Sequence, residues 1–406
     1  MSRTILDIHI LQTVPPSNLN RDDTGSPKTA VYGGVRRARV SSQAWKKATR
    51  NAFKDLLDPN ELGVRTRKVA EALAARVHGK DSSVDAGDEK VLAFAGEAIA
   101  TATGAKIEAP TRKKTKGDKG DTGEEAGPAP APESSYLMFL STRQLDGLAE
   151  MVVKGLGTGM DGKTYFKDKE RKAQAKAIAN RAHSVDIALF GRMVADDADI
   201  NVDAAAQVAH ALGVHAVEIE SDYFTAVDDK NRKDESGAGM IGTVDFNSST
   251  LYRYAAVDVD RLLDNLGKGL DGAKPAGEPV RRAVEAFLEG FITSLPTGKI
   301  NTFGNHTLPD AVIVKLRTSR PISFVGAFEK AVVAEEAGGH VEAACEALAS
   351  YIPAVEQMYG AEKDTETWVA HIGTTTAPLG GLGTETSMAG LVQLVGAAVE
   401  SRLGGE

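Results

Sequence analysis

The sequence contains a single cysteine, Cys345, among its 406 residues. One thiol can build neither a disulfide framework nor a zinc cluster, so the reducing cytoplasm is the expected compartment. Nowhere do eighteen apolar residues follow one another, and the first residues lead directly into an alternating segment. The sequence therefore predicts neither a membrane span nor a secretory signal peptide.

Catalytic signatures and an overall positive charge are also missing. The chain has no His-x-Glu, Walker-type or nucleophile-elbow motif, so we expect no cofactor and no enzymatic activity. The formal net charge is -8 and the pI is near 5.6. These values argue against a protein that coats nucleic acid over its whole surface, so any nucleic-acid site must be local.

One internal segment lacks the side chains that form a core. Between Glu108 and Ser135 there is no Val, Ile, Leu, Met, Phe, Tyr or Trp. A segment of this composition cannot bury enough apolar surface to fold, which predicts an unfolded insertion at 108–135. Its Lys-rich first half could touch nucleic acid, but the mixed charge favours a flexible surface loop.

Positive charge is concentrated between Leu19 and Arg50. The stretch holds eight Lys and Arg against Asp22 and Asp23, a net charge of +6 in a chain of -8. Cations among glycines and hydroxyl side chains are typical of a polyanion site, whereas a solvated charged face is the alternative on composition alone. The eight cations are Arg21, Lys28, Arg36, Arg37, Arg39, Lys46, Lys47 and Arg50.

Helical periodicity begins after the cap pair Ser41-Ser42. At 100° per residue, one face carries Trp45, Ala48, Ala52, Phe53 and Leu56. The opposite face carries Gln43, Lys47, Arg50 and Lys54, with Lys46 on its edge. We therefore expect one face to dock and the other to be available to phosphates, together with the capped helix N-terminus.

The remaining pattern predicts an α+β fold. Thr4–Gln12 is a candidate strand that ends before Pro15-Pro16, and Ala204–Leu212 is a candidate small helix. A long β-hairpin follows up to Val259, with a polar loop at Asp228–Gly239. The order strand, helix, strand, strand, helix, strand is that of ferredoxin-like and RNA-recognition-motif (RRM) domains, here with long insertions.

The adjacent carboxylates Asp22 and Asp23 open a different possibility. With His9 or His306 they could hold a divalent cation and make a metal-dependent RNA phosphodiesterase. Adjacent aspartates on a loop more often cap a turn or pair with a neighbouring arginine, and we favour that interpretation.

Four stretches carry a family resemblance. The segment LNRDDTGSPKTAVYGGVRRARVSSQAWKKATR closely resembles the N-terminal block of CasC-type proteins, the repeated backbone subunit of the type I-E CRISPR Cascade complex. VDIALFGRM (Val185–Met193), YFTAVDD (Tyr223–Asp229) and LYRYAAVD (Leu251–Asp258) are similar to later blocks of that family, in the same order.

The resemblance implies a hand-shaped protein. Its RRM-like palm would comprise residues 1–57, 136–156 and 202–406. A helical finger would occupy 58–201, and a β-hairpin thumb would occupy 223–254. Copies of such a protein assemble side by side along a CRISPR guide RNA (crRNA), hold its phosphates and leave its bases free to pair with target DNA.

The resemblance also implies partners and site residues. Other partners would be the large, small, guide-end-capping and guide-processing Cascade subunits. Tyr223 replaces a Trp that is common in the family motif. Positions matching the RNA backbone site are Lys28, Ser41, Gln43, Lys46 and Arg50. The base-step wedge matches Met193, which spacing alone assigns to a core, and the thumb base matches Tyr223, Phe224 and Thr225.

Overall fold

The computed structural model describes residues 3–110, 130–194, 197–226, 240–267, 277–334, 339–360 and 364–404. Most of the predicted insertion 108–135 and the whole hairpin loop Asp228–Gly239 lie outside these residues. The chain divides into two compact units. The first comprises Met1–Leu56, Ala206–Asp260 and Pro275–Glu406, and the second comprises Leu57–Ala205 and Arg261–Lys274.

The strands are numbered along the chain. They are β1 (Ile5–Ser17), β2 (Thr29–Tyr32), β3 (Val35–Val40), β4 (Gly63–Thr66), β5 (Ile107–Glu108), β6 (Glu133–Ser134), β7 (Met138–Ser141), β8 (Ala206–Val208), β9 (Ala211–Gly213), β10 (Glu220–Ala226), β11 (Met240–Asp258), β12 (Ala311–Arg317), β13 (Glu366–His371) and β14 (Thr384–Glu385).

The α-helices are numbered in the same way. They are α1 (Ser42–Leu56), α2 (Val69–Lys80), α3 (Glu89–Thr103), α4 (Thr142–Leu156), α5 (Gly162–Tyr165), α6 (Lys169–Ala179), α7 (Val185–Phe190), α8 (Val259–Gly267), α9 (Gly277–Thr293), α10 (Ile300–Phe303), α11 (Gly339–Tyr359) and α12 (Met388–Gly404). No helix in the described ranges is both long and apolar enough to cross a bilayer.

The first unit is built on one mostly antiparallel sheet with the strand order β14-β13-β12-β1-β11-β9-β3-β2. Strand β1 lies between β11 and β12, and its Leu6, Ile8 and Ile10 are buried. Strand β11 is long enough to pair with β1 over its second half and with β10 over its first half. The β10–β11 pair confirms the predicted hairpin.

Two local predictions in this unit were wrong. Strand β1 continues through Pro15 and Pro16 to Ser17, because its pairing with β11 shifts register between Val14 and Ser17. An irregularity of this kind removes the need for the hydrogen-bond donors that proline lacks. The predicted helix Ala204–Leu212 is instead the two short strands β8 and β9, because both pair with β11.

The second unit is mainly helical. Helices α2, α3, α4 and α6 share one apolar core that includes Leu73, Phe94 and Leu148. Helix α4 begins with a capping box, in which Ser141 Oγ accepts from Gln144 N (3.0 Å) and Ser141 N donates to Gln144 Oε1 (3.0 Å). Segment 136–156 lies in this unit, because the apolar face of α4 packs on α2 and α3. The sequence had predicted that this segment belongs to the palm.

Candidate nucleic-acid interface

Helix α1 has the two faces that its periodicity predicts. Trp45, Thr49 and Phe53 are buried, whereas Gln43 and Lys47 are exposed. Burying large apolar side chains such as Trp45 and Phe53 stabilises the docked helix by about 1.5–3 kcal/mol each. The docked face thus fixes which side of α1 can meet a ligand.

Ser41 precedes α1 and is itself buried. Its N–H donates to Asn20 Oδ1 (2.9 Å), and its hydroxyl accepts a long hydrogen bond from Ala44 N (3.4 Å). Ser41 therefore works first as a helix cap that ties α1 to the loop before β2. Lys46 and Arg50, on the next turns of the helix, are half-buried.

Arg253 packs against the buried face of α1. The Arg253 guanidinium lies 3.8 Å from the Trp45 ring centroid and 4.7 Å from that of Phe291 on α9. It donates to Gln12 Oε1 (2.6 Å) and to the carbonyl of Phe291. Complete burial lowers the pKa of Arg253 to about 9, so it remains a cation at neutral pH. A desolvated cation–π contact contributes about 2 kcal/mol.

The loop before β2 is a closed turn. Asp22 Oδ1 accepts from Thr24 Oγ1 (2.7 Å), Thr24 N (2.9 Å) and Ser26 N (3.1 Å). The Thr24 hydroxyl is the main reason that the pKa of Asp22 is lowered. This turn geometry supports the structural interpretation of Asp22, since the carboxylate already accepts three local hydrogen bonds.

The residues of the phosphodiesterase alternative do not assemble into a cluster. His9 is buried in the core, where its Nδ1 lies 2.8 Å from the Tyr252 hydroxyl. His306 is exposed after α10, and Asp23 is exposed in the loop. Within the described ranges, no group of three or more His, Cys, Asp or Glu side chains is placed to hold a metal ion.

A small pocket lined by both polar and apolar side chains opens beside the same loop. Lys28 and Arg39 supply its positive charge, and Asn20, Asn247 and Ser249 supply neutral hydrogen-bonding groups. Arg39 of β3 and Asn247 of β11 meet here, although they are far apart in the sequence, because only β9 separates β3 from β11 in the sheet. Cationic and amide groups in one concave site suit an anion.

Arg39 is held at two points of its guanidinium. Its Nε donates to the Thr29 carbonyl (3.1 Å) and its Nη1 donates to Nδ1 of His210 (3.0 Å). Burial, followed by the charges of Arg39 and Lys28, lowers the pKa of His210. Sequence reasoning did not select His210, because only the pairing of Arg39 with Leu212 between β3 and β9 brings it here.

The position of Arg37 differs from the prediction that all eight cations form the ligand surface. Its side chain is completely buried. Nη1 donates to the carbonyl of Val214 (2.6 Å), and Nη2 donates to those of Phe328 (3.0 Å) and Glu329 (3.3 Å). Arg37 therefore holds loops of the first unit together and is not accessible to RNA. Arg36, its neighbour on β3, is exposed, as is Arg21 in the loop.

The β10–β11 arm carries the predicted aromatic pair. Tyr223 is 63% exposed and Thr225 is exposed, whereas Phe224 faces Gly242 across the pair. A Cβ at position 242 would overlap the Phe224 ring, so this glycine makes room for the aromatic side chain. Ile241, next to it on β11, is also exposed.

The base of the arm is joined to the loop before β2, which carries part of the basic stretch and is called the basic loop from here on. Asp245 on β11 accepts from the hydroxyls of Ser26 and Ser221, the latter at 2.7 Å. Asn18 Nδ2 donates to the carbonyls of Asp245 (2.8 Å) and Gly25 (3.0 Å). The loop, the pocket and the arm of the first unit are therefore one connected surface.

Met193 lies in the second unit and is 84% exposed. The core position that spacing alone assigns to it is therefore wrong. The preceding Arg192 is the buried residue, and it donates to the carbonyl of Ala179 (2.9 Å) and to Gln144 Oε1 (3.1 Å). Burial lowers the pKa of Arg192 to about 10. Anchoring of Arg192 leaves Met193 at the surface of this unit.

Comparisons with known proteins cover almost the whole chain. The family model described as CT1975-like protein matches residues 6–394. One similar solved chain comes from a structure described as "CRISPR RNA-guided surveillance complex, pre-nicking". It shares 33% identity and a TM-score of 0.76, over 97% of this chain and 100% of that one.

A second solved chain, from a structure described as "CRISPR RNA-guided surveillance complex", shares 30% identity and a TM-score of 0.67, over 97% of this chain and 99% of that one. No curated protein matches. The matched segment includes the basic loop, the pocket, the β10–β11 arm and Met193. The chain therefore belongs to the CT1975-like protein family.

Proposed function

We propose that this protein is a crRNA-binding backbone subunit of a type I-E CRISPR surveillance complex. The observation that carries the proposal is the connected surface of the first unit, where Lys28 and Arg39 line a small pocket next to the loop before β2. The remainder of the chain is strongly acidic, so this local cationic surface is suited to one polyanion. The similarity to chains of RNA-guided complexes supports RNA as that polyanion.

The strand order supports an RRM-like palm. The neighbours β12-β1-β11-β9 are antiparallel, α1 lies between β1 and β9 in the chain, and α9 lies between β11 and β12. This is the spatial order 4-1-3-2 of a ferredoxin-like domain. The second unit is then the finger, and the β10–β11 arm is the thumb.

Binding of this kind is independent of sequence. The surface offers cations and amides to phosphates, and phosphate contacts position a nucleic acid without reading its bases. Exposed Tyr223 and Met193 would each meet a base face, where stacking or wedging is tolerant of sequence. The other bases of the guide remain available for target pairing.

The proposal includes the assembly. Copies of the chain would lie side by side along one guide RNA in the cytoplasm and meet target DNA through guide pairing. The large, small, guide-end-capping and guide-processing subunits would complete the complex. No step needs a metal or cofactor, because holding phosphates uses fixed charges and hydrogen bonds alone.

Salt-dependent binding tests the function directly. We expect the purified protein to bind labelled single-stranded RNA with an affinity that falls steeply with salt, because each neutralised phosphate releases a counterion. Adding EDTA should leave the affinity unchanged. Binding that is insensitive to salt would contradict the proposal, and Mg²⁺-dependent cleavage abolished by Asp23→Ala would favour the phosphodiesterase instead.

A charge-matched pair of variants assigns the binding surface. The triple change of Lys28, Lys46 and Arg50 to Ala should weaken RNA binding by about tenfold or more for every RNA sequence and reduce the salt slope by about two to three. Changing Arg282, Arg320 and Lys330 to Ala removes the same charge elsewhere in the first unit and should have little effect. A loss restricted to one RNA sequence would argue against backbone recognition.

A further inference from the structure

His210 occupies the turn between the short strands β8 and β9 and is exposed. Its hydrogen bond to Arg39 connects it to a residue that lines the pocket. The charge of the imidazole and the direction of that hydrogen bond decide what His210 can contribute to binding.

The chemistry of the contact settles the tautomer. An arginine side chain has donors only, so His210 Nδ1 must accept the hydrogen bond from Arg39 Nη1. The ring is then neutral, with its proton on Nε2. Burial, followed by the charges of Arg39 and Lys28, lowers the pKa of His210, in the direction of the neutral ring.

The remaining donors of Arg39 define its role. Nε is bound to the carbonyl of Thr29 and Nη1 to His210, and within the described residues Nη2 makes no hydrogen bond. Two fixed points on a planar guanidinium leave it one orientation. Nη2 is thus a preorganised donor of a residue that lines the pocket.

We propose that neutral His210 is a positioning residue that orients Arg39 for a phosphate of the bound RNA. This inference rests on the proposed function. His210 contributes no charge to binding and acts through Arg39, whose side-chain freedom is lost before the RNA arrives. A direct contact between a protonated His210 and phosphate would give a different salt and pH dependence.

The test is a set of variants in the full chain, measured with labelled single-stranded RNA at several salt concentrations. His210→Ala should weaken binding by about three- to tenfold with an unchanged salt slope, because no cation is lost. Arg39→Ala should lower the slope by about one. The double variant should bind within about twofold of Arg39→Ala, because His210 works only through Arg39.

A conservative variant separates positioning from general damage. The Oδ1 atom of an asparagine can take the place of Nδ1, so His210→Asn should restore most of the affinity that His210→Ala loses. His306→Ala, at another exposed histidine of the first unit, should bind as the unchanged protein does. Matching denaturation midpoints would show that all variants are folded.

Separate outcomes of these measurements would contradict the positioning role of His210 and the proposed RNA-binding function. If losses from His210→Ala and Arg39→Ala multiply, or if His210→Ala binds normally, the positioning role is wrong while the proposed function stands. Affinity that rises as pH falls to about 6, and does so only with His210 present, would identify an imidazolium contact instead. If the unchanged protein shows no salt-dependent RNA binding, both proposals fail.

Discussion

Arginines of the same strand have opposite roles in this protein. Along β3, Arg36 is exposed, Arg37 is completely buried and Arg39 is half-buried at the pocket. Arg37 donates to backbone carbonyls, whereas Arg39 donates to a carbonyl and a histidine. Side-chain alternation in a strand separates the neighbours Arg36 and Arg37, and only the surrounding loops decide which side is buried.

The neighbours Arg36 and Arg37 form a matched test at the residue scale. Arg37→Ala removes the hydrogen bonds to the carbonyls of Val214, Phe328 and Glu329 and should lower the free energy of unfolding by about 3 kcal/mol. Arg36→Ala should change it by less than about 0.5 kcal/mol. Denaturant midpoints measure both effects, and equal midpoints would show that the buried hydrogen bonds of Arg37 do not support the fold.

At the scale of elements, the β10–β11 arm depends on few packing contacts. Phe224 packs over Gly242, while Tyr223 and Ile241 are exposed beside it. The base of the arm is anchored by Asp245 through the hydroxyls of Ser26 and Ser221. An arm with little buried apolar surface opens more readily than the central sheet.

Adding a side chain at Gly242 tests this packing. In Gly242→Ala the new Cβ displaces the Phe224 ring, which should weaken the arm by about 1–2 kcal/mol and accelerate amide exchange in β10 by about 5- to 30-fold. Strands β1 and β12 should exchange as before. Thr243→Ala, one position along on the opposite face, is the control, and equal exchange in both variants would contradict a role for this contact.

At the scale of the first unit, a network of buried charged side chains surrounds β1. Asp7 accepts from Arg317 Nε (2.8 Å), the Tyr254 hydroxyl (2.7 Å) and Ile322 N (3.1 Å). Burial raises the pKa of Asp7, while burial and the charges of Arg317 and Lys315 lower that of His9 well below its ordinary value. Both shifts tie the stability of the central sheet to pH.

Acidification should therefore destabilise the protein through His9. Below about pH 6.5 the unfolded chain binds a proton at His9 that the buried His9 of the folded chain does not bind. The free energy of unfolding therefore decreases as the pH is lowered, by up to about 1.4 kcal/mol per pH unit. The raised pKa of Asp7 acts in the opposite sense, but only at pH values low enough for it to bind a proton.

Denaturant midpoints between about pH 7 and about pH 5 measure this dependence. His9→Asn should flatten the curve, even where it lowers stability throughout, and the exposed His306→Asn should not. An unchanged slope in His9→Asn would assign the acid sensitivity to other groups. His210, His215 and His340, whose pKa values are also lowered, are the next to examine.

Local pattern was enough to predict much of the molecule. Periodicity identified α1 and its docked residues Trp45 and Phe53, and alternation identified the long hairpin, because both depend on neighbours a few residues away. The uneven charge identified the basic stretch before any fold was known. Motif order also predicted a relationship to CRISPR proteins, and the similarity to chains of CRISPR RNA-guided surveillance complexes supports that relationship.

Only the tertiary structure decided which of those residues can act. It buries Arg37 under carbonyls from distant loops, brings His210 to Arg39 and exposes Met193 while burying Arg192. It also replaces the predicted helix at Ala204–Leu212 with two strands paired to β11. Each outcome depends on partners far away in the chain, and sequence pattern reports only on near neighbours.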